Sequence, residues 1–304
     1  MRGSALAVVL LLLAGAAAAQ EGEPLSGTLL GIDGRGVIRI GVRDGAVPFS
    51  FRNRGGQPIG FSVDICRGIA EDVAQALHRD LLEPDAPAWQ SGVRIAYVPV
   101  AAEERVRMVA ARAIDLECGS TTANAERAKQ VAFSPVFFVA GTKLAVSNGS
   151  AVSSWRDLAG HTVAVSAGTT NEAVVQRLAS TAAAPLTILS LPSVEAAFDA
   201  LAAKRADAVA SDDILLAGMI AAKAAPMKVV GDYLSFEPYA IMLARDDPPF
   251  LALVRASFAR QAEAGQLRAG YRRWFMDTLP TGGSLDLPMG PELAEIYRAL
   301  GQSD

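Results

Sequence analysis

Residues 115–129 read DLECGSTTANAERAK, and the fold turns on how this stretch divides. From Ile114 through Leu116 to Cys118, apolar and polar side chains alternate as in a strand. The far end is charged and helix-like. Between them stand Gly119 and three hydroxyl residues, Ser120, Thr121 and Thr122, with Arg127 following. Open α/β sheets bind small ligands where their strands end. Gly119 permits close backbone approach. Ser120 and Thr122 supply hydroxyls and backbone N–H groups, and Arg127 brings a planar fork that matches a carboxylate. The competing local reading is plain: Ser120 or Thr122 caps a helix and Arg127 is solvated.

Two other strand ends repeat the pattern. VAVSAGTTNEAVVQRL sets Gly168, Thr169 and Thr170 between a strand and a helix, where unpaired N–H groups attract an anion. AVASDD ends a strand at Asp212, an acid able to hold an ammonium group. Capping is again the alternative at both places. Two carboxylate clamps and an acid describe the α-groups of an amino acid.

Outward from these segments, strand and helix patterns alternate. Val37–Arg43, Val93–Val100, Ile114–Cys118 and Val136–Ser147 read as strands, then Thr162–Ser166, Leu186–Leu189, Ala208–Ala210 and Tyr239–Arg245. Ser62 is expected to cap a helix with Ile65, Ile69, Val73 and Leu77 on its apolar face. Such alternation implies α/β architecture with helix-covered, largely parallel sheets, and 304 residues are too many for one open sheet. Residues 20–36 read as a flexible lead-in, and 281–304 as a tail of loop and one short helix.

The hydrophobic share of 51% and charged share of 20% mark a globular chain, and the net charge of −4 argues against a nucleic-acid partner. Residues 1–19 have the form of a cleaved signal peptide: Arg2, an apolar core from Ala5 to Leu13, then Ala17-Ala18-Ala19. Export makes Cys66 and Cys118 either a disulfide or two buried thiols. A bridge would close a loop of about 50 residues, adding about 4 kcal/mol. Two cysteines and two histidines, His78 and His161, lack the spacing of a zinc site, and neither histidine neighbours a nucleophile in sequence. No Walker loop or dinucleotide fingerprint occurs, so neither metal nor cofactor is expected.

Taken together, GVRDGAVPFSF, GFSVDIC, DLECGSTTANAERAKQVAFSPVFFVAGTKLAV, SAGTTNE and SDDILLAG resemble the family 3 solute-binding proteins of bacterial amino-acid ABC importers. The likeness covers about residues 37–280 and is greatest to the glutamate/aspartate branch. It implies a two-lobed periplasmic binding protein fold of type II, with two mixed sheets flanked by helices and joined by two hinge strands. Lobe 1 would be 37–138 with 236–280 and lobe 2 would be 143–231. Hinges would lie near Val139–Thr142 and Asp232–Ser235. The resemblance implies a ligand set of Ser120, Thr122 and Arg127 from lobe 1, and Thr169, Thr170 and Asp212 from lobe 2. Arg43 and Arg105 would take the distal carboxylate. Ala102 stands where the branch usually has serine, and Val194 where it often has histidine, so glutamine or asparagine stays open as ligand. The implied protein is a periplasmic monomer that is not an enzyme and hands its ligand to permease subunits in the inner membrane. A sensor feeding a receptor kinase, or a dehydratase-type enzyme using Glu117 or Asp213, are the rival readings. Export and shared placement in lobe 1 lead to an expected Cys66–Cys118 bridge.

Overall fold

The computed structural model describes residues 24–181 and 185–302. The signal-peptide reading of residues 1–19 lies outside them. Two mixed sheets carry the fold. The first runs Leu81–Leu82, Val93–Pro99, Val37–Val42, Leu116–Glu117, Met242–Ala244 and Val131–Phe133, parallel over its first four strands and antiparallel over the last two. The second runs Thr187–Leu191, Thr162–Ser166, Ala208–Asp212, Thr142–Ser147 and Met227–Val230, with the same change from parallel to antiparallel. Helices cover both, as parallel strands require. Phe61–Ala76 and Pro248–Glu263 pack together on the first lobe, while Thr170–Thr181, Val194–Ala202 and Asp213–Lys223 surround the second sheet.

The chain passes between the two sheets twice, and these passages pair with each other. Phe138–Ala140 and Glu237–Tyr239 form a two-stranded antiparallel ribbon. The single strands expected over 136–147 and 239–245 are therefore each split in two. A strand that leaves one sheet for another must break its ladder, and the breaks fall at Gly141 and at Ala240-Ile241. Around the ribbon Phe49, Phe138, Tyr239 and Phe275 pack ring on ring, with centroid separations of 4.9 to 5.0 Å for Phe49–Phe138, Phe49–Tyr239 and Phe138–Phe275. The tail joins this cluster: Leu293 and Tyr297 of helix Pro291–Ala299 are buried, and the Tyr297 hydroxyl donates to the Phe137 carbonyl at 3.0 Å.

Two local expectations are corrected. Within the expected flexible lead-in, Gly27–Arg35 is a helix that buries Leu29 and Ile32, ends on Gly36 in the left-handed region, and is tied down by Thr28 N donating to Asp247 Oδ2 at 2.6 Å. Its three glycines obscured the i, i+3 apolar pair. Ser62 is not a cap. The helix starts at Phe61, and the Ser62 hydroxyl donates instead to the Gly119 carbonyl at 2.7 Å.

That bond lies one helical turn from the Cys66–Cys118 disulfide, which spans a Cα–Cα distance of 6.3 Å between fully buried residues. Helix and strand end are thus joined covalently and by a hydrogen bond. Titration of the denatured, unreduced protein should find no free thiol. The Cys66→Ser/Cys118→Ser double variant should lose about 4 kcal/mol of stability in denaturant titration, because the released loop regains its entropy in the unfolded chain.

Candidate functional site

Both sheets turn the carboxyl ends of their parallel strands toward one cavity of about 380 Å³. All of them except the edge strand Leu81–Leu82 contribute at their ends. Val37–Val42 leads to Arg43, Val93–Pro99 to Val100, and Leu116–Glu117 to Ser120 and Thr122. From the second sheet, Thr162–Ser166 leads to Thr169 and Thr170, Thr187–Leu191 to Ser193, and Ala208–Asp212 ends in Ser211 and Asp212. A parallel strand end leaves room there because the following helix starts away from the sheet edge.

Of the residues singled out in the sequence, Arg43, Arg105, Ser120, Thr122, Thr169, Thr170 and Asp212 line the cavity together. Arg127 does not. Its Nη1 donates to the Thr122 carbonyl at 2.9 Å, one layer behind the loop. Gly119 is required at its position: a Cβ there would lie 2.4 Å from Glu117 Oε1 and 2.8 Å from Arg43 Cγ. Neither Ser120 nor Thr122 caps an α-helix, since the loop leads into the short 3-10 turn Arg127–Lys129. Thr169 does act as a cap, accepting from Glu172 N at 3.2 Å, while Glu172 Oε2 accepts from Gly168 N at 2.9 Å.

The first lobe's wall carries two arginines, with Asp44, which pairs with Arg52, at its edge. Arg105 is 4% exposed, and its Nη1 donates to Thr121 Oγ1 at 2.7 Å, which donates in turn to Glu117 Oε2 at 2.6 Å. Arg105 Nε has no hydrogen-bond partner among the described residues. Arg43 Nη1 donates to the Val100 carbonyl at 2.9 Å. Neither arginine makes an ion pair with a described residue. Burial, then the charge of Arg105, lowers the Arg43 pKa to about 10; the same two causes bring Arg127 to about 10.

The opposite wall is acidic. Asp212 is buried, its Oδ1 accepting from Asn171 Nδ2 at 2.7 Å and its Oδ2 from the Tyr239 hydroxyl. Burial, then the neighbouring Glu237 carboxylate, raises its pKa to about 6 against the pull of those two hydrogen bonds. Tyr239 is pushed well above its ordinary range by burial and by Asp212. The Ser166 and Ser211 hydroxyls, both on cavity-lining residues, lack partners among the described residues.

Sequence reading missed Glu237. It lies on the ribbon, 2% exposed, and its Oε2 accepts from Thr122 Oγ1 at 2.6 Å and from Thr170 Oγ1 at 2.7 Å. An acid just before an apolar run gives no periodic signal, so only its place in space marks it. Asn171, Ser166 and Ser211 were missed likewise, although all three stand inside quoted motifs. Glu117 and Asp213, the candidates for acid–base chemistry, do not line the cavity. Glu117 lies under Thr121, and Asp213 accepts from Gly141 N at 3.2 Å and Tyr233 Oη at 2.9 Å.

Comparison with known proteins agrees with this geometry. The family model described as bacterial extracellular solute-binding proteins, family 3, matches residues 38–277. The glutamate/aspartate import solute-binding protein of Salmonella typhimurium is 33% identical over 296 residues, covering 96% of this chain and 93% of that one. The L-glutamate/L-aspartate-binding protein of Pseudomonas aeruginosa is 33% identical over 294 residues, covering 95% and 93%. Among solved structures, a P235GK mutant of the arginine-binding protein ArgBP from T. maritima superposes with a TM-score of 0.71 at 25% identity, covering 83% of this chain and all of that one.

The raised pKa of Asp212 has a stability consequence. Its folded pKa of about 6 lies above the ordinary 3.8. The group therefore favours the folded state fully below pH 3.8, and that contribution is lost as pH rises through 6. Asp212→Asn should accordingly make the ligand-free protein more stable at pH 7, by about 2–3 kcal/mol. Melting curves should show the difference shrinking to nothing near pH 4.

Proposed function

Because the chain belongs to the bacterial extracellular solute-binding proteins, family 3, we propose that its cavity takes an acidic L-amino acid, glutamate or aspartate. The observation that carries this reading is the pair Arg43 and Arg105 on one wall, without an ion pair among the described residues, opposite Asp212 on the other. A dicarboxylic amino acid has two carboxylates and one ammonium, which answers that distribution. Asp212 holds the ammonium. Thr122 and Thr170 spend their hydroxyl hydrogens on Glu237 and so meet the ligand as acceptors, beside Asp212. Arg43 and Arg105 take the side-chain carboxylate. Arg127, one layer back, adds its positive field at the α-carboxylate, which the backbone N–H groups of the Ser120–Thr122 loop and of the Thr170 helix start receive.

The moving bodies are taken as 37–138 with 236–280, and 143–231, closing on the ligand about the ribbon. Closure is the function, and no bond is made or broken. The protein works in the periplasm as a monomer and delivers its ligand to permease subunits of an ABC importer. Among the described residues no helix is long and apolar enough to cross a membrane. Ala102 and Val194 both line the cavity and offer only methyl groups to the distal end of a ligand. Selectivity for acids therefore rests on the two arginines.

Calorimetry with glutamate, aspartate, glutamine and asparagine tests the reading. Glutamate or aspartate should bind best, and Arg105→Ala should weaken them roughly 10- to 100-fold while leaving the amides less affected. Silence from all four ligands at millimolar concentration would end the proposal. Affinity should also fall about tenfold between pH 7 and pH 5, as Asp212 takes up a proton with a pKa of about 6. A flat profile over that range would remove Asp212 from the ammonium site.

A further inference from the structure

We infer that Glu237 is a latch between the lobes, a single carboxylate on the connecting ribbon that accepts a hydroxyl hydrogen from each lobe and thereby slows ligand release. The inference rests on reading the cavity as a closing binding site.

Thr122 follows a strand of the first sheet, and Thr170 begins a helix packed on the second. Both hydroxyls donate to the same Glu237 oxygen, and their own oxygens stand 3.4 Å apart. The other oxygen accepts from Ser235, whose hydroxyl is 2.7 Å from Thr142 Oγ1, and Asn171 Nδ2 donates to Thr142 Oγ1 at 2.8 Å. Glu237 is thus buried with hydroxyl donors and no cation within ion-pair distance among the described residues. A buried carboxylate that loses a donor keeps its desolvation cost and loses the compensating bond. Ser235, two residues before the ribbon strand, is tied to Thr142 of the second sheet. Thr122 and Thr170 belong to opposite lobes, so separating the lobes must withdraw at least one of them.

Backbone contact follows the same seam. Gly168, at φ +70°, approaches Glu103 so closely that a Cβ would lie 2.4 Å from the Glu103 Cα. The lobes meet closely there, two residues before Thr170. The latch also senses the ligand's neighbourhood, because both donors are cavity residues.

The titratable groups around Glu237 are Asp212 of the second lobe, Arg127 of the first, and Tyr239 on its own strand. Asp212 carries a proton more readily with Glu237 beside it. Replacing that carboxylate by an amide removes the repulsion but keeps an oxygen that accepts both threonine hydrogens. The conservative variant therefore separates charge from latching.

Stopped-flow release of glutamate and solution X-ray scattering of the ligand-free protein test the inference. Glu237→Ala should release ligand roughly 10- to 100-fold faster, with association changed far less, and should enlarge the ligand-free radius of gyration. Thr170→Val, which removes only the second lobe's donor, should also speed release. Glu237→Gln should keep near-normal release while shifting the pH midpoint of binding below that of the parent protein, a change that loss of packing alone would not produce. Unchanged release and unchanged scattering in Glu237→Ala would overturn the latch. Should Glu237→Ala fail to fold, an unaltered release rate in Thr170→Val would overturn it equally. If the parent protein bound none of the four amino acids, the binding reading would fall, and the scattering comparison would still decide the latch.

Discussion

Two guanidinium groups facing one small cavity without carboxylates of their own form a costly arrangement until an anion meets them. Arg43 and Arg105 are in that position. Burial of like charge raises the free energy of the site, and the lowered Arg43 pKa records it. The protein tolerates the cost because each arginine is anchored by neutral acceptors, the Val100 carbonyl and Thr121, with Glu117 one hydroxyl further back. The remaining charge demand is directed inward, where a ligand carboxylate answers it. The opposite wall mirrors this: Asp212 is held by Asn171 and Tyr239 at a raised pKa and gains most from a cation.

Such a site works only if its walls are held rigidly within each lobe and joined between lobes by contacts that can separate. The first wall is rigid because its loop is fixed from behind three times, by the Cys66–Cys118 bridge, by Ser62 on the Gly119 carbonyl, and by Arg127 on the Thr122 carbonyl. The second is rigid because Asn171 ties the helix start to Asp212 and to Thr142. Among the described residues the chain crosses between them as two short strands, embedded at one side in an aromatic cluster that the C-terminal helix completes. A ribbon of this kind can flex while its register is kept.

The fold was legible where local pattern and tertiary role coincide. Thr162–Ser166 reads as a strand and is one, and the three strand-end motifs lie on one cavity because carboxyl edges of parallel strands collect ligands. Patterns failed where the chain serves two sheets. Residues 136–140 and 239–244 are apolar, so no alternation there marks the break at which each run leaves one sheet for the other. The Gly27–Arg35 helix was hidden by its glycines, and tertiary packing of Leu29 and Ile32 overrides their low propensity. Arg127 shows a third kind of difference: its Nη1 donates to the loop's own backbone, which spacing does not reveal.

By itself the sequence determined the α/β class, the strand-end clusters and the chemistry they could offer, because hydrophobic period and residue type are local properties. Its motifs also carried the family resemblance. Only the tertiary structure decided which of those groups face the cavity, because the end of each side chain depends on what packs behind it. Ser62 became a loop anchor instead of a cap, and Arg127 moved behind the wall it was expected to form. Glu237 became the point where both lobes meet, since Thr122 and Thr170, 48 residues apart, converge on it through space alone.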